Sequence, residues 1–83
     1  MGKLLLNVNI PAISESFDVF APKDIPVSSI ISVIIENVVN LSNGRYTASN
    51  REMMMTYKPE MLLDPEKSLE DYGVKDGDRV LII

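Results

Sequence analysis

A chain of 83 residues is one domain's worth, and this one carries no cysteine and no histidine. That excludes a disulfide framework, a thiolate nucleophile and the commonest general base and metal ligand. With a net charge of −4 and its eight Lys and Arg scattered without a run, it offers no basic face to a nucleic acid.

The N-terminal stretch KLLLNVNI, residues 3–10, sets Leu4, Leu6, Val8 and Ile10 on one parity and Leu5, Asn7 and Asn9 on the other. That alternation predicts a half-buried strand rather than a signal segment. PAISE follows as a turn. In SFDVFA, 16–21, Phe17, Val19 and Ala21 alternate with Ser16, Asp18 and Phe20, which predicts a second strand paired with the first as a hairpin. Pro26 suits the first turn of a helix. From there Val27, Ile30, Ile31, Ile34, Val38 and Leu41 keep helical spacing. Val and Ile prefer strands, but about fifteen residues without a breaker is long for a strand. The expectation is a helix over 26–41, ended at Ser42-Asn43-Gly44. Its serines, asparagines and Glu36 exclude a membrane span.

Residues 45–50 read as a connection. REMMMTYK, 51–58, predicts a third strand with Met53, Met55 and Tyr57 on one parity and Met54, Thr56 and Lys58 on the other, ended by Pro59. A short strand near 61–63 and a helical turn near 69–72 come next. KDGD is a tight reversal about Gly77, and RVLII, 79–83, is a final strand burying Val80 and Ile82. A hairpin, one helix and further strands predict an α+β domain spanning 1–83, a mixed sheet of 4–5 strands with the helix on one face, although the pattern alone also fits other α+β folds.

Little of this is chemistry. Asp76 and Asp78 flank Gly77 as in a calcium loop but lack that motif's further ligands, so the turn reading is preferred. Ser14 and Ser68 read as turn or cap residues. With no cofactor motif and no metal cluster, neither an enzyme nor a bound cofactor is expected.

LLDPEKSLEDYGVKDGDRVLII, from Leu62 to Ile83, resembles the C-terminal half of ubiquitin-like β-grasp domains. The landmarks are Leu63, Ser68-Leu69, Asp71-Tyr72, Val74, Asp76-Gly77 and Val80/Ile82. Its Leu-Leu-Asp-Pro and Asp-Gly-Asp are similar to the YukD (EsaB-like) proteins of Gram-positive type VII secretion systems. The resemblance implies a β-grasp fold with the first and last strands as parallel neighbours. It also implies a small cytoplasmic, non-enzymatic accessory protein. Ubiquitin-like modifiers need a Gly-Gly tail beyond the last strand. Nothing follows Ile83 in this sequence, so neither conjugation nor the sulfur-carrier-like alternative is expected. A structural or interaction domain of an unrelated pathway is the other alternative.

The expected mode of action is protein interaction, because Leu5, Met54, Leu81 and Ile83 would together form an apolar patch on the open sheet face. Ile35 and Val39, beside the main helical stripe, are a second expected contact on the helix flank. The partner implied is a membrane or ATPase component of the secretion machine, with a homodimer as another cover for the patch.

Overall fold

The computed structural model describes residues 2–49, 51–57 and 59–83. Asn50 in the expected connection and Lys58 in the expected third strand lie outside them. Strand β1 (Lys3–Ile10) runs into a 3₁₀ turn at Pro11–Ile13 and returns as β2 (Glu15–Pro22). The pairing is antiparallel, from Lys3 opposite Pro22 to Ile10 opposite Glu15. Ser14 takes the left-handed conformation at the reversal, φ 52°, and its N–H donates to the Pro11 carbonyl. Leu6, Val8 and Ile10 are fully buried, as the alternation predicts.

Helix α1 (Val27–Leu41) crosses one face of the sheet and buries Val27, Ile30, Ile31, Ile34, Ile35 and Val38. Burial of this wide apolar stripe outweighs the strand preference of its β-branched residues. Among the described residues no side chain caps its start. Instead the N–H groups of Val27 and Ser28 donate to the carbonyls of Lys67 and Pro65, at 2.8 and 2.9 Å, so a distant loop satisfies donors that every helix start leaves open. The helix stops where Asn43 and Gly44 both adopt positive φ.

Strand β3 (Met54–Tyr57), β4 (Glu60–Leu62) and β5 (Arg79–Ile82) complete a five-stranded sheet of order β2-β1-β5-β3-β4. Strand β5 is parallel to β1, with Val80 beside Val8, and antiparallel to β3, with Ile82 opposite Met54. This is the layout that the β-grasp resemblance implies.

The polar signature between β4 and β5 is a set of backbone staples. Ser68 and Asp71 cap each other's N–H groups at 3.2 and 3.0 Å, a reciprocal box around the 3₁₀ turn Glu70–Tyr72. Asp64 accepts from the Glu66 N–H, and the Tyr72 hydroxyl accepts from the Asp64 N–H.

One expectation is corrected here. Met54 is 0% exposed and Met55 is half-buried on the opposite face, the reverse of the expected parity. Val80 and Ile82 must face the core, and the antiparallel register sets Met54 against Ile82. The strand pairing therefore carries Met54 inward with its partner.

Candidate interaction surface

The face of the sheet away from α1 is open, and the strand register orders its side chains in rows. Phe20 pairs with Leu5 at the β2–β1 edge. The next row runs Asp18, Asn7, Arg79, Tyr57, Glu60 across all five strands. The row after that runs Ser16, Asn9, Leu81, Met55, Leu62. Beyond it Ile83 and Met53 exchange backbone hydrogen bonds at 2.9 and 3.0 Å.

Apolar residues therefore gather on the β5–β3–β4 half: Leu81, Met55, Leu62, Ile83 and Met53. Leu62 is 47% and Ile83 55% exposed. The polar row is tied within itself and to the row beside it. The Asn7 amide donates to Asp18 at 3.1 Å, the Asn9 amide reaches over β5 to the Tyr57 hydroxyl at 2.9 Å, and the Arg79 guanidinium lies 5.6 Å from the Tyr57 ring centre. That last contact is a cation–π geometry.

The expected patch is thus reshaped. Leu81 and Ile83 do meet on one surface. Met54 is not on it, and Met55 stands in its place. Leu5 is on the same face but on the far side of the polar row, beside Phe20, which is 70% exposed. Phe20 was already on the outward parity of its strand, and that parity is the signal that marks it. Leu62 and Met53 carry no such signal, because only the β3–β4 and β3–β5 pairings bring them to Leu81.

The helix flank also changes. Ile35 is 6% exposed and belongs to the core, since the buried stripe of α1 is wide enough to take it in. Val39 is half-buried and borders a groove between α1 and the segment after it. That segment is pinned by Glu52, whose carboxylate accepts from the Tyr46 hydroxyl at 2.8 Å and the Ser49 N–H at 2.7 Å. Burial pushes the Glu52 carboxyl upward, but the Ser49 and Tyr46 donors outweigh it and hold it below the usual carboxylate range. Burial, then the hydrogen bond and charge of Glu52, push the Tyr46 phenol up to about 12.

The KDGD reversal holds no spare ligand set. Asp76 accepts from the Leu5 N–H at 2.6 Å, Asp78 accepts from the Lys75 N–H at 2.9 Å, and the Gly77 N–H donates to the Leu5 carbonyl at 2.7 Å. Among the described residues no cluster of three or more carboxylates could hold a metal ion, and no helix is long and apolar enough to cross a membrane.

One helix across a mixed sheet, with parallel central strands and an open opposite face, defines a ubiquitin-like β-grasp domain. Solved structures carry the same fold. The ubiquitin-like domain of the Mycobacterium tuberculosis type VII secretion protein EccD1 superposes with a TM-score of 0.78 at 16% identity, covering 100% of this chain and 99% of that one. The EccD5 ubiquitin-like domain from Mycobacterium xenopi gives 0.79 at 19% identity, covering 100% and 94%. A chain of the MycP5-free ESX-5 inner membrane complex gives 0.71 at 21% identity over 98% of this chain and 20% of that one. The chain belongs to the YukD family of the WXG100 protein secretion system, whose family model matches residues 5–82. The comparison with curated proteins finds no match.

Proposed function

We propose that this domain is a non-enzymatic docking module, a cytoplasmic accessory or regulatory component of a type VII secretion machine. It acts by seating the apolar half of its open sheet face on a protein of that machine. The observation that carries this reading is the contiguous set Leu81, Met55, Leu62, Ile83 and Met53 on adjacent strands. Exposed apolar clusters with a polar border mark interaction sites, and methionines adapt to a partner's contour. Family membership and the ESX-5 chain with a similar fold support a partner within the secretion apparatus.

The test is binding of the purified protein to the cytosolic regions of the secretion ATPase and of the membrane components. Leu81→Glu and Met55→Glu should each weaken binding at least tenfold, as expected for charging a central apolar contact, while the circular dichroism spectrum stays native. Undiminished binding by both folded variants would overturn the sheet-face reading.

A further inference from the structure

The molecule has a second concave surface, on the helix side. A groove of about 620 Å³ runs along α1. Ile31 and Ile35, which the core leaves only slightly exposed, and half-buried Val39 form its apolar floor, and Ala48, Glu36 and Glu52 also line it. The floor residues recur every four positions, so they form a straight strip about 12 Å long at ~1.5 Å per residue.

Ser28 and Ser32 also line the groove, and the Ser32 hydroxyl donates back to the Ser28 carbonyl at 3.1 Å. Pro65 closes the end, and its carbonyl is already taken by the Ser28 N–H. The start of the helix is therefore no anion site. Among the described residues no lysine or arginine lines the groove. Glu52 is held ionised by Ser49 and Tyr46, and Glu36 is exposed on α1.

An apolar strip at helical spacing in a groove that also carries two carboxylates complements one chemistry. We propose that this groove receives a basic amphipathic helix of a partner protein, with apolar side chains at i, i+3 and i+4 on the strip and Lys or Arg beside Glu36 and Glu52. The inference rests on the docking reading above but uses the opposite side of the domain, so one molecule can hold two partner segments at once.

The probe is a synthetic helical peptide of Leu, Ala and Lys, compared with the same peptide carrying Glu for Lys. Each is titrated into the isotope-labelled protein and followed by backbone amide shifts. The Lys peptide should shift residues 31–40 and 46–52 and bind at least tenfold tighter than the Glu peptide. Glu36→Lys should weaken it about threefold to tenfold, as expected for reversing an exposed charge. Leu81→Glu should leave it unchanged, so the sheet-face reading and this one fail separately.

Three results would overturn the proposal. In the first, shifts centre instead on residues 60–78, where seven carboxylates stand against two lysines. In the second, the two peptides bind equally, or Glu36→Lys has no effect. In the third, the groove amides shift with protein concentration alone, which would assign the groove to a second copy.

Discussion

Substituting Met54 and Met55 one at a time isolates the register of β3. The two side chains are adjacent, chemically identical and on opposite faces. Met54 is fully buried, opposite Ile82, and its carbonyl accepts from the Leu63 N–H at 2.9 Å. Met54→Ala leaves that hydrogen bond intact and empties a core site, which costs about 2–5 kcal/mol. A domain of this size has only about 4–12 kcal/mol in total, at about 0.05–0.15 kcal/mol per residue. Met55→Ala trims a half-buried side chain of the open face and should cost about 0.5–1 kcal/mol. At about 4–8 °C per kcal/mol for domains of this length, Met54→Ala should lower the melting temperature by at least roughly 10 °C and Met55→Ala by only a few degrees. Thermal unfolding followed by circular dichroism decides. Equal shifts, or a larger one for Met55→Ala, would refute the register and with it the composition of the apolar patch.

Two further predictions concern the loops. The raised Tyr46 phenol favours the neutral form in the folded state, so its stabilising contribution is complete below its ordinary value of 10.0 and is lost as pH rises through about 12. The lowered Glu52 carboxyl acts in the opposite sense, contributing above its ordinary range and losing that contribution as pH falls through its folded value. Ultraviolet titration should find the Tyr46 phenol ionising late, and Glu52→Gln should return it toward 10. Gly77 holds φ 87° with open space where a Cβ would stand, so Gly77→Ala should cost about 1 kcal/mol from backbone strain alone. Denaturant unfolding measures it, and an unchanged midpoint would contradict the turn geometry.

Strong periodicity made most of the fold legible. In β1 the buried residues alternate with asparagines that cannot be buried as easily, and α1 is recognisable by length despite its β-branched residues. The turn chemistry from Asp64 to Asp78 was legible because each Asp or Ser there has a backbone group to satisfy. The site was less so. Three consecutive methionines carry no alternation, so parity in β3 is set by its partner strand, and a single sequence does not show that pairing. Ile35 reads as a flank in the sequence because a one-dimensional stripe does not reveal how wide a face the sheet covers.

The central place of β5 has a consequence for how the chain reaches its native state. Val8 and Val80 are direct neighbours, yet almost the whole chain lies between them. The β1–β2 hairpin can form locally, and so can the β3–β4 pair, but the two halves of the sheet have no contact until β5 enters between them. The closing loop is long and the joining contacts are non-local, a combination that slows folding. The start of α1 waits as well, since its first two N–H groups find partners only at Lys67 and Pro65, in the segment that follows β4. Assembly of this domain is therefore expected to be all-or-none around one late insertion, with the two half-sheets exposing unpaired edges beforehand.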